Sequence, residues 1–234
     1  MRLNAFSQFE LMEMHINALY NHNSGLKMTT INEPWDKSQP APRFHLGKTI
    51  SGAVLYRFRY DVLSSIIDRF SGYLLDEESH GCEIRNKNIY IDILESEKCQ
   101  EEICYCCTNE IFPAGENCVM ITPGNIKGFV LGDFEWLKEE IDYCQPCYGV
   151  TEGNSLISVC RSVRITDAAR EAGIETIESR RGRGFALIAL LNWAAEIQKS
   201  GLMPLYSTDK ENKSSQRLAE KAGLYKFGAG ISVY

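Results

Sequence analysis

The alternation of apolar and polar positions divides the start of the chain into helical and extended stretches. Apolar residues first recur at helical spacing and predict an amphipathic helix that ends near Asn23-Ser24-Gly25: Phe9, Met12, Ile16, Leu19 and Tyr20. A proline-rich loop follows over residues 32–42. The β-branched and aromatic content of residues 49–58 then predicts a strand.

A second helix is predicted after Asp61, which has the residue type that caps helix starts. Its apolar stripe comprises Val62, Leu63, Ile66, Ile67, Phe70 and Leu74. The polar segment 76–81 reads as a loop, and His80 within it is interpreted as a solvated residue rather than a catalytic base.

Extended patterns dominate the next stretch of the chain. Strict alternation over residues 89–94 predicts a strand, and residues 103–112 and 118–121 predict a further strand pair. Residues 133–141 then predict a short helix whose inward positions are Phe134, Leu137 and Ile141.

The last third of the chain alternates strands and helices. Residues 147–150 and 156–163 predict a hairpin with a tight turn, and the polar stretch 164–171 fits either a loop or a short helix. The strand at 172–177, the apolar helix at 185–199 and the strand that follows form a crossover unit. Because such crossovers are right-handed, the two strands should be parallel neighbours. The hairpin adds antiparallel strands, so the sheet is predicted to be mixed.

The turn between that strand and helix has the sequence Ser-Arg-Arg-Gly-Arg-Gly-Phe-Ala at 179–186. Gly182 and Gly184 permit positive φ and close approach of a ligand. The first amides of the helix carry the positive end of its dipole, and arginines add forked donors. This chemistry predicts a pyrophosphate at the helix start. A flexible RNA-binding element and a plain solvated turn are the alternatives.

Composition limits the class of protein. The 234 residues are 44% hydrophobic and 24% charged, which is typical of a globular protein of one or two domains. The net charge of −6 argues against a general nucleic-acid binder, which needs a broad basic face. No apolar run approaches the ~20 residues that span a membrane. The first residues lack the pattern of a signal peptide, so a cytoplasmic location is expected.

Nine cysteines raise the question of metal binding: Cys82, Cys99, Cys104, Cys106, Cys107, Cys118, Cys144, Cys147 and Cys160. Cys144 and Cys147 have the spacing of zinc ligands, and Cys104 with Cys106 or Cys107 could supply a second pair at a spacing that is poor for a zinc ribbon. We expect free, mostly buried thiols and no metal, with a zinc-stapled interaction module as the alternative.

Several motifs in order resemble the GNAT acetyltransferase superfamily. Residues 181–186 fit its Arg/Gln-x-x-Gly-x-Gly/Ala signature. The segments 193–195, 201–208, 212–215 and 218–224 follow as in that family, and the resemblance covers about residues 146–234. It implies an α+β fold with a mixed, mostly antiparallel sheet, a splayed parallel strand pair and helices on both faces. Residues 1–145 would be an α/β region that completes the sheet and the acceptor pocket.

The resemblance also implies a coenzyme site. Acetyl-CoA would be the co-substrate, with its pantetheine arm along the backbone of Ile174, Glu175 and Thr176. Its pyrophosphate would lie against a cradle made of Arg181, Gly182, Arg183, Gly184, Phe185, Ala186 and Leu187. Asn212 matches the family asparagine that contacts the coenzyme near the last helix.

The implied reaction is acetyl transfer to a primary amine by direct attack in a ternary complex. The position of the family's acidic tyrosine holds Ala219, so Tyr206, Ser207 and Tyr225 are substitute candidates. Glu171 is the candidate base and shares one strand face with Glu175 by period-two geometry. We expect a small-molecule amine as the acceptor, with no nucleic acid and no membrane as partner, and leave a homodimer open. The alternatives are a non-catalytic acyl-CoA-binding or regulatory protein and a protein N-acetyltransferase.

Overall fold

A computed structural model describes residues 6–78 and 81–234, so the interpretation of His80 lies outside the described residues. Within them the chain forms one nine-stranded sheet and a separate two-stranded sheet. The strands are β1 Tyr20–His22, β2 Met28–Ile31, β3 Phe44–Thr49, β4 Val54–Phe58, β5 Cys99–Cys106, β6 Cys118–Ile121, β7 Cys147–Glu152, β8 Ser155–Ile165, β9 Ala169–Thr176, β10 Met203–Asp209 and β11 Tyr225–Val233. The helices are α1 Gln8–Leu19, α2 Ser64–Ile67, α3 Ser71–Asp76, α4 Lys87–Leu94, α5 Leu137–Glu140, α6 Phe185–Lys199 and α7 Lys213–Lys221. None of the helices in the described part of the chain is both long and apolar enough to cross a membrane.

The large sheet has the strand order β4-β3-β11-β5-β10-β9-β8-β7-β6. Among the described residues its one parallel pair is β9 with β10, and the other neighbours are antiparallel. The predicted mixed sheet, the hairpin β7–β8 and the parallel pair are therefore confirmed. The sheet draws β3 to β6 from residues 1–145 and β7 to β11 from residues 146–234, interleaved at its centre.

Helices cover both faces of the sheet. On one face, α6 and α7 bury Trp193, Leu190 and Ala219 against β8, β9 and β10. On the other face, α1 buries Met12 and Ile16 against β5, β10 and β11. Helix α6 is apolar on most of its surface because it packs against the sheet on one side and against α7 on another.

Two glycines let α1 approach the sheet closely. A Cβ at Gly47 would lie 2.3 Å from the sulfur of Met12, and a Cβ at Gly228 would lie 2.5 Å from the carbonyl oxygen of Lys48. Side chains at these two positions would therefore push the helix away from β3 and β11. The start of α1 is fixed by Ser7 and Glu10, whose side chains each bond the other's backbone in a capping box.

Several predictions for the first half are wrong. Residues 89–94 belong to α4, because the residues they bury are Tyr90, Ile93 and Leu94, which follow helical rather than strand spacing. Residues 49–58 form the turn and second strand of the hairpin β3–β4. The predicted pair over 103–112 and 118–121 does not form, since β5 lies at the centre of the sheet and β6 at its edge.

The helix predicted after Asp61 is broken into α2, a 3₁₀ turn over Asp68–Phe70 and α3. Asp61 does not cap it, because the carboxylate instead binds the guanidinium of Arg59 at 2.7 Å. The ambiguous stretch 164–171 is extended at both ends, with a short turn between Ile165 and Ala169.

Candidate functional site

The parallel strands β9 and β10 are paired over only a short length. Residues Met203 to Leu205 face Ala169 to Glu171, and beyond that point β10 continues against β5 while β9 continues against β8 to Thr176. Within the described residues, the β9 edge over 172–176 that faces β10 therefore has no strand partner. The backbone groups on this edge remain available to an amide-bearing ligand, apart from the Glu175 and Thr176 carbonyls, which accept hydrogen bonds from Ser158 and Arg181.

The predicted phosphate cradle lies just after the end of β9. Gly182 and Gly184 have φ values of +78° and +90°, and a Cβ at either would meet nothing within 4 Å. The glycines are thus required by backbone conformation and leave open space above the turn. The first intrahelical bond of α6 runs from Ile188 N–H to Gly184 O. The three preceding amides, at 185–187, consequently have no carbonyl within the helix to bond.

The arginines of this turn differ in their surroundings. Arg180 binds the carboxylate of Glu152 at 2.8 Å and is occupied by that ion pair. Arg181 is exposed, and its Nε donates to the carbonyl oxygen of Thr176 at 3.2 Å, which holds the guanidinium beside the end of β9. Arg183 is exposed on the same turn. Among the described residues, Arg181 and Arg183 thus form no ion pair with a carboxylate, and both lie next to the unpaired amides.

The other residues predicted to hold the coenzyme have structural partners of their own. Ile174 packs against the α6 core, the Thr176 hydroxyl hydrogen-bonds the Ser158 hydroxyl, and Glu175 pairs with Arg161 at 3.0 Å. What Ile174, Glu175 and Thr176 offer a ligand is their backbone. The Asn212 side-chain oxygen accepts the Ser215 N–H at 3.1 Å and so caps α7.

Of the three predicted catalytic residues, the structure brings two together. Glu171 and Ser207 lie where β9 and β10 diverge, on the face covered by α1, and the Ser207 hydroxyl donates a short hydrogen bond to Glu171 Oε1. Tyr206 points to the opposite face, where it packs in the cluster that contains Ala219. Its hydroxyl lies 3.5 Å from the Ser215 carbonyl oxygen, and burial raises its pKa. Tyr225 lies elsewhere, with its hydroxyl accepting from Gln8.

A buried histidine links Glu171 to a second carboxylate. His15 Nε2 lies 3.0 Å from Glu102 Oε1, and His15 Nδ1 lies 3.3 Å from Glu171 Oε2. The His15 side chain is 1% exposed. Sequence reasoning missed His15 and Glu102. The signal was their placement, because His15 follows the apolar stripe of α1 and Glu102 shares a strand face with the buried Cys104.

The electrostatics of this group fix its charges at neutral pH. Burial lowers the pKa of His15, but Cys104, Glu102 and Glu171 outweigh it and raise that pKa well above its ordinary value. Burial also raises the pKa of Cys104 to about 11, so its thiol is neutral and the two carboxylates act on His15. Burial opposes ionisation of Glu102, yet the charge and hydrogen bond of His15 lower its pKa to about 2. An imidazolium therefore lies between carboxylates.

A cavity of about 250 Å³ opens on this group from the α1 face. Its lining is largely polar and comprises Leu19, Tyr20, Ile31, Gln100, Glu102, Val163, Arg164, Glu171, Ala172, Ser207, Ser232 and Tyr234. The Ser232 hydroxyl hydrogen-bonds both the Tyr20 hydroxyl and Nδ1 of the buried His45. Burial lowers the pKa of His45 to about 4, so this imidazole is neutral. The cavity begins where β9 and β10 separate, so it adjoins the predicted pantetheine path.

The cysteines do not gather into one site. Cys144 and Cys147 lie together in the core beneath β6 to β8, whereas Cys104 and Cys106 lie in the core beneath α1. The two pairs therefore cannot hold one zinc ion between them. Among the described residues, His15, Glu102 and Cys104 have ligand atoms within 4.8 Å of one another. Their geometry is accounted for by the ion pair and hydrogen bonds already described.

The chain thus combines an α+β fold, an arginine- and glycine-rich turn at a helix start, and a parallel strand pair that separates beside a polar cavity. Comparison with known proteins agrees. Residues 146–234 match the family model for GNAT acetyltransferases. This is the segment over which the motifs of the chain resemble that superfamily.

Individual relatives resemble parts of the chain. The uncharacterised N-acetyltransferase YdfB of Bacillus subtilis is 33% identical over 77 residues, which are 33% of this chain and 30% of the relative. The chain thus matches under a third of that relative's length. A putative GNAT-family acetyltransferase from Novosphingobium aromaticivorans aligns with a TM-score of 0.50 at 17% identity, over 58% of this chain and 64% of that one. This likeness shows a shared fold. A GNAT-family acetyltransferase from Colwellia psychrerythraea aligns with a TM-score of 0.49 at 14% identity, over 81% of each chain.

Proposed function

We propose that this protein is an acetyl-CoA-dependent N-acetyltransferase that acts on a primary amine of a small molecule, by direct attack in a ternary complex. The observation that carries the proposal is the meeting of Glu171 and Ser207 at the point where β9 and β10 separate. One side of that point leads to the helix-start cradle and the other to the polar cavity. A base, a coenzyme path and an acceptor space therefore share one location.

The residues present fit the coenzyme. Its pyrophosphate would be held by the unpaired amides at 185–187, with Arg181 and Arg183 supplying charge. The open space above Gly182 and Gly184 leaves room for it. The unpaired β9 edge over 172–176 would bind the amide groups of the pantetheine arm. When bound, the coenzyme supplies an acetyl group activated as a thioester.

The side chains divide the chemistry between the two faces of the sheet. On the α1 face, Glu171 accepts the proton that the amine nitrogen loses as it bonds to the acetyl carbon. Ser207 and the His15 imidazolium hold that carboxylate in place from two directions. On the opposite face, Tyr206 donates a proton to the sulfur as the carbon–sulfur bond breaks. Burial raises the pKa of Tyr206, which keeps its hydroxyl protonated until then.

The size of the cavity favours a small acceptor. Pockets that enclose drug-sized ligands have volumes of about 300–1,000 Å³. The cavity of about 250 Å³ lies below that range and fits a compact metabolite better than an oligosaccharide or a folded protein. A protein acceptor would have to insert a single side chain or an unfolded terminus into it.

Two measurements test the proposal. Acetyl-CoA at 100 times its Kd should stabilise the folded protein by about 2.7 kcal/mol, seen as a rise in melting temperature. A panel of primary amines should then give thiol release from acetyl-CoA above the rate without amine. Absence of stabilisation at millimolar acetyl-CoA would contradict the coenzyme site itself.

A second candidate function is acyl-CoA binding without catalysis. The buried Ala219 favours it, because Ala219 stands where the resemblance to the GNAT superfamily implies an acidic tyrosine. Under that function, acetyl-CoA would stabilise the protein but no amine would increase thiol release. The variant Tyr206→Phe separates the two cases further, since it should slow amine-dependent release only if Tyr206 is the acid.

A further inference from the structure

The cavity beside Glu171 contains both signs of charge, kept apart. Arg164 of β8 lies directly across from Glu171 of β9 in the antiparallel register. Residues in such opposite positions have Cβ atoms about 4.5–5.5 Å apart, and an Arg–Glu pair there would ordinarily form an ion pair. Within the described part of the chain, these two instead bind other partners.

Each of these two residues instead contacts a residue from the first half of the chain. Arg164 Nη2 lies 3.2 Å from Glu33 Oε1, and Glu171 Oε2 lies 3.3 Å from His15 Nδ1. Arg164 also donates through Nη1 to the Val163 carbonyl oxygen at 2.8 Å. The result is a cationic wall at Arg164 and an anionic wall at Glu171, on neighbouring strands that line one cavity.

Both walls have unused hydrogen-bonding capacity. Within the described residues, Arg164 Nε and Glu171 Oε2 are buried atoms without a hydrogen-bond partner. The His15 ring is within ion-pair distance of Glu171 Oε2 but does not hydrogen-bond it. A buried donor or acceptor that has no hydrogen-bond partner costs about 1–3 kcal/mol. A donor and an acceptor of this kind, Arg164 Nε and Glu171 Oε2, belong to residues that line the same cavity and require explanation.

We infer that the acceptor is a small zwitterion: a primary amine that also carries a carboxylate, such as a free amino acid. Its amine faces Glu171 and Ser207, where the acetyl group arrives, and its carboxylate faces the guanidinium of Arg164. A planar guanidinium suits a carboxylate because its forked donors match the two oxygens. A cavity of about 250 Å³ accommodates a ligand of amino-acid size.

A purely cationic acceptor fits these walls less well. A polyamine offers no hydrogen-bond acceptor to Arg164, whose charge and that of His15 are already paired with Glu33, Glu102 and Glu171. The mismatch is therefore one of hydrogen bonding rather than of net charge. A simple monoamine offers no acceptor to Arg164 Nε, which has no hydrogen-bond partner among the described residues. The zwitterion satisfies both walls and adds no net charge.

The inference that the acceptor is a zwitterion rests on the proposed function. The experiment that tests it compares pairs of matched acceptors. The twenty common amino acids are assayed for acetyl-CoA-dependent thiol release beside decarboxylated counterparts such as phenethylamine, cadaverine and isoamylamine. We expect at least one amino acid to exceed its own decarboxylated amine at least tenfold in kcat/KM. Arg164→Gln should raise KM for that amino acid about 10- to 100-fold, the loss of one charge-assisted contact. The kcat/KM of the amine should stay within twofold.

Controls separate a binding role from a folding role. Arg69→Gln makes the same substitution at an exposed arginine of the 3₁₀ turn far from the cavity and should change neither acceptor. Glu33→Gln releases the guanidinium of Arg164 and should lower KM for the amino acid or leave it unchanged. Circular dichroism and melting of each variant exclude unfolding. If Arg164→Gln does not fold, Arg164→Lys keeps the charge without the fork and should raise KM less than tenfold.

The outcomes distinguish this inference from the proposed function. Acetyl-CoA binding with decarboxylated amines used as well as amino acids would overturn the zwitterion while leaving acetyl transfer intact. Equal effects of Arg164→Gln on an amino acid and its amine would overturn it too. If no amine of either kind releases thiol, calorimetry with amino acids and amines on the acetyl-CoA complex decides, because preferred binding of the amino acids is still required. Failure of acetyl-CoA to bind would overturn both proposals.

Discussion

The imidazole Nδ1 of His15 lies 3.3 Å from the Oε2 of Glu171, with both side chains almost fully buried. The two residues are 156 positions apart in the chain, since His15 belongs to α1 and Glu171 to the segment 146–234 that matches the GNAT family model. Glu102, on the other side of the ring, also belongs to the first half of the chain. Glu171 is therefore contacted by Ser207 from its own segment and by His15 from outside it. The first 145 residues thus supply part of the surroundings of this candidate base.

The coenzyme cradle can be tested at the turn before α6. Arg181→Ala removes a charge-assisted contact worth about 1.5–3 kcal/mol if it is made to phosphate, so acetyl-CoA binding should weaken about 10- to 100-fold. Gly184→Val should weaken it as well, because the residue has a φ of +90° and a branched side chain would fill the space above the turn. Calorimetric titration measures both, with circular dichroism as the folding control. Arg180→Ala, which breaks only the Glu152 ion pair, is the matched control. Wild-type affinity in folded variants at both positions would refute the site.

Replacement of the candidate base should affect the rate rather than coenzyme binding. Glu171→Gln keeps the shape and a hydrogen bond to Ser207 but cannot accept a proton. We expect kcat to fall about 10²- to 10⁴-fold, the contribution typical of a positioned base. The Kd for acetyl-CoA should stay within about twofold. Ser207→Ala should lower kcat less, because Ser207 orients the carboxylate. A Glu171→Gln enzyme with normal kcat would show that water accepts the proton.

The stability of the protein should depend on pH through His15. Its pKa is raised in the folded state, so its contribution is fully present below the unfolded value of about 6.5 and is lost as pH rises through the folded value. The lowered pKa of Glu102 acts in the opposite sense. That contribution is present above about pH 4.3 and is lost as pH falls toward about 2.

Urea unfolding across pH measures this dependence in the wild type and in His15→Gln. The variant should be less stable by about 3–5 kcal/mol between about pH 4.3 and 6.5, because it leaves buried carboxylates without their cation. The difference should shrink as pH rises above that window. A difference that stays constant up to alkaline pH would indicate that His15 is neutral in the folded protein.

The close contact of α1 with the sheet predicts a large effect from one methyl group. Gly228→Ala places a Cβ 2.5 Å from the Lys48 carbonyl oxygen and the Met12 methyl, and should destabilise the protein by about 1–3 kcal/mol. Gly72→Ala is the matched control, since nothing lies within 4 Å of the added atom in α3. It should stabilise by about 0.5–1 kcal/mol through helix propensity. Equal melting temperatures for the two variants would contradict this packing.

Metal content gives a further check on the cysteines and on the buried group. Native protein should contain less than one zinc per chain by mass spectrometry and should lose no stability on dialysis against a chelator. The physical reason is that the His15 ring nitrogens both face carboxylates in an ion pair. Stoichiometric zinc that disappears in Cys104→Ser would assign a metal to His15, Glu102 and Cys104 instead.

Local sequence patterns predict the elements of the last third of the chain and the turn before α6. Residues 185–199 form the predicted helix, the hairpin and the crossover pair form as expected, and the two turn glycines have the positive φ that their position required. These features follow from local rules, because apolar periodicity, turn residues and the handedness of a crossover act over short lengths of chain. Residues 89–94 show the limit of those rules, since alternating isoleucines there form a helix whose buried face tertiary packing selected.

The chemical surroundings of Glu171 depend on packing between segments that are far apart in the sequence. The chain passes from β10 through α7 to β11, and β11 pairs with β3 on one side and β5 on the other. This pairing brings Glu102 of β5 into the part of the sheet that α1 covers. Gly230 leaves the necessary gap, since a Cβ there would lie 2.9 Å from Glu102 Oε1. Burial then sets the charges, because the pKa values of His15 and Glu102 depend on each other and on the loss of water. Contacts between residues so distant along the chain produce no periodic pattern in the sequence. For that reason the sequence pointed to Glu171 as the candidate base but not to His15, the cation beside it.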